Sequence, residues 1–459
     1  MLKFYNFLSR QIEEFKPIET IVGLYTCGPT VYDFAHIGNL RTYIFEDILK
    51  RTLKLNGFKV KHVMNITDID DKIIKRSREE GVGYRELGEK YEKAFFEDLA
   101  KLKIEKADLY PRATDHINEM ISLIERLIKK GLAYKTDDGV FFAINKFPSY
   151  GRLSQIDKKN LKTGARIEAD LYEKENPADF ALWKKVKPGE PAWNAPFGAG
   201  RPGWHIECSA MALKYLDDVF DGETVYPERG RGIDIHTGAV DLLFPHHENE
   251  IAQSDGATGK NFVNFWLEGE HLLVEGQKMA KSLGNYYTLS DLVKKSFNPL
   301  AFRYLVLTCH YRSKLNFTWK SLEAAQNALD NLCEEITQMP EAKIGCAQFE
   351  EDFLSALSND LDTPKAIAIL WELLKSDYPA SAKKKTLLWM DQVLGLGFDK
   401  VAKPELPAGV AELIEKREKA REAGDWDLAD TLREEIRAKG VEVEDTPIGP
   451  IWKVKIKRS

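Results

Sequence analysis

A chain of 459 residues, 43% apolar and 30% charged, is long enough for roughly two to four domains and a large core, which excludes a small stapled or disordered protein. A formal net charge of −6 excludes a histone-like or membrane-coating surface but leaves room for a local basic face. The first residues lack a secretory apolar core and no stretch approaches the ~20 apolar residues that span a bilayer, so a cytosolic protein is expected.

Residues 21–27 form a short apolar run rich in residues that suit a pleated surface, which predicts a buried parallel strand ending at Gly28 and Pro29. Residues 39–55 carry Leu40, Ile44, Ile48 and Leu55 near helical spacing, with Gly57 as the stop, and a second strand is predicted over 58–66. Strand, helix and strand make a βαβ unit, whose ligands collect beyond the carboxyl ends of the strands. Cys27, His36 and the segment 65–72 fall at that edge.

Residues 109–193 are predicted as amphipathic helices and turns, an insertion between two halves of a nucleotide fold that resumes near Gly203. Strand ends and buried turns are expected around 234–236, 242–244 and 261–267. The stretch 298–397 is helical almost throughout, with core-facing stripes at 319–332 and 366–374 that suggest an antiparallel bundle. A last unit separates at 403–407. Within it Asp425 caps a helix whose Leu428, Leu432 and Ile436 share a face, and two strands follow, at 441–443 and 451–456.

His36, Ile37, Gly38 and Asn39 lie just ahead of the first helix, where free N–H groups and the helix dipole favour an anion. Gly38 lets a phosphate approach the backbone, and His36 and Asn39, one turn apart, could both donate to an α-phosphate. The same four residues also suit an ordinary polar turn. Far downstream, Lys278 and Lys281 stand three apart in a loop bounded by Gly276 and Gly284, where two ammonium groups could neutralise departing phosphates.

Taken together, His36–Asn39 resembles the HIGH signature and residues 278–282 the KMSKS signature of class I aminoacyl-tRNA synthetases, with Asn39 in place of the last histidine and Ala280 in place of the first serine. The resemblance implies an α/β fold: a Rossmann-like parallel sheet split by an insertion, an α-helical bundle and a small C-terminal α+β domain. The expected boundaries are 1–297 for the catalytic part (insertion about 110–200), 298–402 for a bundle touching the tRNA stem and 403–459 for an anticodon-binding unit.

The five cysteines, Cys27, Cys208, Cys309, Cys333 and Cys346, are scattered without a CxxC pair, which fits reduced thiols. Cys208 lies in GWHIECSAM, and a dense cluster follows in FPHHENE. With Pro245 in a first helical turn, His246 and Glu250 share a helix face, while His247 and Glu248 point elsewhere. Two thiolates, an imidazole and a carboxylate suit zinc better than magnesium or calcium, although their spacing is no zinc-finger pattern. These segments look very like those that hold the catalytic zinc of cysteinyl-tRNA synthetases. Carried over by position, the ligands are Cys27, Cys208, His246 and Glu250.

The resemblance further implies activation of L-cysteine with ATP and Mg²⁺ and transfer to the 3'-terminal ribose of tRNA(Cys), by a monomer. The metal would choose thiol over hydroxyl. His36, Asn39, Lys278 and Lys281 would be catalytic, with His36, Gly38, Asn39 and Lys281 on the nucleotide. Trp204 would wall the cysteine side chain, while Thr67 and Asp241 would hold the amine or ribose. Residues 217–231 look like an added surface loop. Trp426 offers a stacking surface for the anticodon, and Lys453, Lys455, Lys457 and Arg458 offer phosphate contacts. Two other readings are a cysteine ligase acting on an amino sugar, as in mycothiol synthesis, and a non-catalytic tRNA-binding paralogue.

Overall fold

The computed structural model describes residues 1–156, 178–341, 343–401, 406–446 and 449–454. A hairpin of β1 (Lys3–Asn6) and β2 (Gln11–Glu14) precedes β3 (Ile21–Thr26), α1 (Ile37–Leu55) and β4 (Lys59–Met64). β3 is buried on both faces after Ile21, as a central strand covered by helices must be, and it pairs in parallel with β4 so that Thr26 lies opposite Met64. At the head of α1 the His36 ring accepts from Asn39 N (3.1 Å) and Asn39 Oδ1 accepts from His36 N (3.2 Å), a capping box that closes two helix-start donors.

Helices α2 (Asp71–Glu80), α3 (Tyr84–Lys101) and α4 (Ile117–Lys129) lead into an antiparallel sheet of β5 (Ala133–Thr136), β6 (Gly139–Phe142), β7 (Phe180–Lys185) and β8 (Gly200–Pro202), in that order. This sheet corrects the expectation of helices and turns over 109–193, of which α4 is the helical part. The pairing of Phe142 with Phe180 joins residues too far apart in sequence for a local period to reveal.

The chain then returns to the first sheet through α5 (Trp204–Leu216), the short hairpin β9 (Phe220–Asp221) and β10 (Thr224–Val225), β11 (Ile233–Ala239), α6 (Glu248–Thr258) and β12 (Val263–Gly269). The parallel order is β12-β11-β3-β4. Residues 217–231 thus contain a hairpin, anchored by buried Asp217, which accepts from Arg231 N (2.5 Å) and Gly232 N (2.6 Å).

A small sheet follows, of β13 (Leu272–Val274), β14 (Gln277–Lys278) and, beyond α7 (Leu289–Lys294) and α8 (Pro299–Leu307), β15 (Leu315–Phe317). Next come α9 (Trp319–Gln338), α10 (Ala347–Ser358), α11 (Thr363–Lys375) and α12 (Ala380–Leu394), as the apolar stripes foretell. These helices share one apolar core with α1. At its centre the fully buried Arg303 of α8 donates to Asp47 of α1 (2.6 Å), Leu394 O (2.6 Å) and Leu102 O (3.0 Å), tying the bundle to the helix that begins at His36.

The last elements are α13 (Val410–Glu422), α14 (Trp426–Ala438), β16 (Val441–Thr446) and β17 (Gly449–Val454). Asp425 caps α14 through Leu428 N (3.2 Å), and Leu432 and Ile436 are buried. Leu428 is 46% exposed, against expectation, because each four-residue step overshoots a full turn by about 40° and the stripe drifts off the core. Residues 402–405, Lys455, Lys457 and Arg458 lie outside the described residues, as does the Lys453 side chain. Among the described residues no helix is long and apolar enough to cross a membrane.

Candidate active site and metal-ligand cluster

The parallel register brings the carboxyl ends of β3, β4 and β11 to one edge, where Cys27 N donates to Thr237 O (3.2 Å). Gly28 is required there, since a Cβ would stand 1.7 Å from Asn65 O. Cys208 comes to the same edge on the second turn of α5, and Glu250 on the first turn of α6. Pro245 does not open an α-helical turn. It follows a cis bond in a wide, kinked turn over Leu243–His247, in which Phe244 is extended (φ −141°, ψ 129°), and the turn runs into α6. His246 still reaches back to Glu250, Nε2 to Oε1 being 3.1 Å, because α6 continues one turn beyond it. The ligand atoms of Cys27, Cys208, His246 and Glu250 lie within 4.8 Å of one another, and all four residues are buried.

The wide turn overturns a second expectation. Glu248 does point away, accepting from Gly151 N (2.7 Å), Leu153 N (3.1 Å) and Ser154 N (2.8 Å). His247 does not: its Nε2 is 3.5 Å from Cys27 Sγ and its Nδ1 2.7 Å from Glu268 Oε1. His236 Nε2 meets the other Glu250 oxygen at 3.0 Å, so Cys27, His236, His247 and Glu250 form an overlapping group of ligand atoms, also within 4.8 Å.

Charge in the cluster is strongly polarised. The hydrogen bond from Cys27 carries the Cys208 thiol down to about 6 despite burial, with His246 helping. Burial and the Cys208 sulfur push Cys27 up. Burial pulls the His246 imidazole down, but Glu250 and Cys208 overcome it and raise it to about 10. Burial would raise Glu250, yet His236 and His246 hold it well below the usual carboxylate range. One thiolate and one carboxylate thus outweigh one imidazolium, leaving the buried cluster net negative, and a borderline-soft dication is the ligand that this donor set fits.

His205 Nδ1 lies 2.8 Å from His246 Nδ1. Burial and the neighbouring His246 hold His205 neutral, so it accepts from His246 Nδ1–H and leaves His246 Nε2 aimed at the cluster. The Trp204 ring, 38% exposed, stands 4.3 Å from the His246 ring, centroid to centroid.

A cleft of about 310 Å³ opens over the cluster and is lined by Cys27, Cys208 and His246 together with His36, Gly38, Asn39 and Lys278. Trp204, Thr67 and Asp241 line it too. Thr67 is turned inward, its hydroxyl donating to buried Glu207 (2.9 Å) while accepting from Asn65 Nδ2 (3.2 Å). Burial lowers His36 to about 4 against the pull of Asp241, so its ring is neutral at pH 7. Because Nδ1 accepts from Asn39 N, the ring proton sits on Nε2. Asn39 spends Oδ1 on the cap and keeps its amide N–H groups for a ligand. Lys281 forms an ion pair with Asp33.

From the sequence, His205, His236, Glu46 and Glu268 have no expected role and His247 is expected to point away, yet all five surround the cluster. Burial raises the Glu46 and Glu268 carboxyls. The available signal was the crowding of His205, His236, His246 and His247, four of the nine histidines, into about forty residues.

Comparison with known proteins agrees with this geometry. The family described as "tRNA synthetases class I (C) catalytic domain" matches residues 14–327, and "Cysteinyl-tRNA ligase anticodon binding domain" matches 403–449. A relative from Chlamydia pneumoniae named cysteine–tRNA ligase is 45% identical over 475 residues, covering 98% of this chain and 97% of its own. One of the same name from Brachyspira hyodysenteriae is 43% identical over 482 residues, covering 98% and 99%. A Mycobacterium tuberculosis methionyl-tRNA synthetase structure superposes with a TM-score of 0.57 at 15% identity, over 86% of this chain and 94% of its own, which speaks for the fold alone. A parallel sheet ending at HIGN, a lysine loop opposite it and near-full-length likeness lead to one conclusion: the chain belongs to the cysteine–tRNA ligase family of class I aminoacyl-tRNA synthetases.

Proposed function

We propose that this protein is a monomeric, cytoplasmic cysteine–tRNA ligase that activates L-cysteine with ATP and passes it to the 3'-terminal ribose of tRNA(Cys). The observation that carries the reading is that Cys27, Cys208 and His246 line the same cleft as His36, Asn39 and Lys278. Zinc held by Cys27, Cys208, His246 and Glu250 would lower the pKa of the substrate thiol and take it in preference to the serine hydroxyl. An apolar pocket offers only about 1–3 kcal/mol for a change of this size, too little for a faithful choice without editing.

In the first step a cysteine carboxylate oxygen attacks the α-phosphorus of ATP, which enters with Mg²⁺, and the bond to pyrophosphate breaks. His36 Nε2–H and the Asn39 amide donate to the α-phosphate oxygens as charge grows there, while Gly38 lets the phosphate approach. Lys278 and Lys281 neutralise the departing phosphates. In the second step the terminal ribose hydroxyl attacks the cysteinyl carbonyl and AMP leaves. Trp204 walls the side chain, and Asp241 and Thr67 serve the amine or ribose.

Residues 1–297 make the catalytic unit, with its insertion at about 110–200. The bundle of 298–402 supports the tRNA stem, and 403–459 reads the anticodon with Trp426, 61% exposed, as a stacking face. The anticodon-domain likeness over 403–449 counts against an amino-sugar ligase. Cysteine-dependent ATP–pyrophosphate exchange, followed by charging of tRNA(Cys), tests the whole reading. Exchange with cysteine and not serine is expected; none in metal-replete protein would favour a tRNA-binding paralogue.

A further inference from the structure

The lysine loop, between β14 and α7, is folded down onto the segment 33–38. Met279 packs against Gly38 so closely that a Cβ on Gly38 would come within 2.6 Å of its methyl carbon. The Tyr286 ring meets the His36 ring edge-on at 5.0 Å, and its hydroxyl donates to Phe34 O (3.3 Å). Lys281 forms an ion pair with Asp33, which lines the cleft, and its ammonium is 5.1 Å from the centre of the Tyr286 ring. The Asp33 side chain is 13% exposed and that of Lys281 58%. Residues in left-handed conformations stand just ahead of β14, Glu275 (φ +49°) and Gly276 (φ +75°), and within the loop, Gly284 (φ +64°). These are positions where a small backbone change swings the loop as a unit.

Among these contacts to 33–38, the Lys281–Asp33 pair is the one between opposite charges, and it engages a group on which the phosphate chemistry depends. We infer that Asp33 is a positioning residue for Lys281, a carboxylate that stands in for the ATP phosphates and keeps the loop closed until nucleotide arrives. This rests on the reading of Lys281 as a phosphate contact. A single carboxylate is a weaker partner than a triphosphate, so ATP takes the ammonium over from Asp33. Lys281 is then already held at Asp33, which lines the cleft, and the entropy of ordering a long side chain is lost before binding. The cost is competition: Asp33 must be displaced, so it weakens apparent ATP affinity.

The test uses the full-length protein with Asp33→Asn, which keeps shape and removes charge. In nucleotide-free protein, tryptic cleavage after Lys278 should rise roughly two- to five-fold, the range for an ion pair with one exposed partner. A bound non-hydrolysable ATP analogue with Mg²⁺ should abolish that difference. The ATP KM in cysteine-dependent exchange should fall by a similar factor. Lys281→Gln should raise cleavage after Lys278 equally, which guards against poor folding of the first variant. Unchanged cleavage without nucleotide, a difference that persists with it, or a raised ATP KM would each overturn the inference. If the parent protein shows no cysteine-dependent exchange, the functional reading fails, and the cleavage arm still judges the ion pair.

Discussion

Replacing His205 with alanine should loosen the metal although His205 is not among the proposed ligands. Its Nδ1 is the acceptor 2.8 Å from His246 Nδ1–H, a direction that follows because His246, raised to about 10, carries both ring protons while burial keeps His205 neutral. Without the acceptor, His246 keeps a buried N–H with no partner and can take the other tautomer, turning its lone pair away from Cys208 and Glu250. Loss of such an orienting partner costs about 10- to 100-fold in metal affinity, which is ~1.4–2.7 kcal/mol. Competition with a chromophoric chelator measures the affinity, a thermal melt of the metal-free protein shows that the fold persists, and serine-dependent exchange reports any lost selectivity. His205→Asn should recover part of the affinity by supplying an oxygen acceptor. Should His205→Ala bind within ~2-fold of the parent while His246→Ala loses the ion, the Trp204 ring and Glu250 orient His246, and the hydrogen bond does not.

Further outcomes follow from the same geometry. Cys27 is pushed up and His246 stands at about 10, so both carry protons at neutral pH, whereas Cys208 at about 6 and the depressed Glu250 are already ionised. Metal uptake should therefore release roughly two protons per ion and tighten as pH rises from 7 toward 9, as calorimetry in buffers of different ionisation enthalpy will read; release of fewer than one would contradict the assignment. Arg303→Met removes one of the two guanidinium partners of Asp47, Arg51 remaining at 2.8 Å, and the hydrogen bonds to Leu394 O and Leu102 O, so it should lower stability by ~1.5–3 kcal/mol in urea unfolding. Gly38→Ala sets a methyl against Met279 and the His36 ring, so the ATP KM should rise while metal content stays unchanged. Trp426→Ala should reduce tRNA charging by a stacking loss of ~1–3 kcal/mol and leave pyrophosphate exchange intact; equal losses in both assays would contradict the division of labour between the two ends of the chain.

Much was legible before folding because it is local. Residues 21–66 announce strand, helix and strand through apolar runs and periods, and the structure repeats them within one or two residues. The helices of the bundle and the Asp425 cap follow the same rule. HIGN and the lysine loop were readable as motifs, and the cysteine–histidine–glutamate set was reached by likeness to a family, since no spacing rule links residues 27, 208, 246 and 250.

What the chain determined by itself was therefore the identity of its short-range elements and the inventory of groups able to bind phosphate or metal. Only the tertiary structure decided which of them meet. The antiparallel sheet inside 133–202 depends on pairing between distant segments. The kinked turn at Leu243–His247 sets both histidines against groups from distant segments, His247 beside Cys27 and Glu268 and His246 beside His205, which no local pattern announces. The Lys281–Asp33 pair spans |i−j| = 248, and its carboxylate lines a cleft that forms when the parallel strands align. Periodicity and caps act over one turn, whereas contacts at such separations are chosen by burial of the whole core and leave no mark in the local pattern.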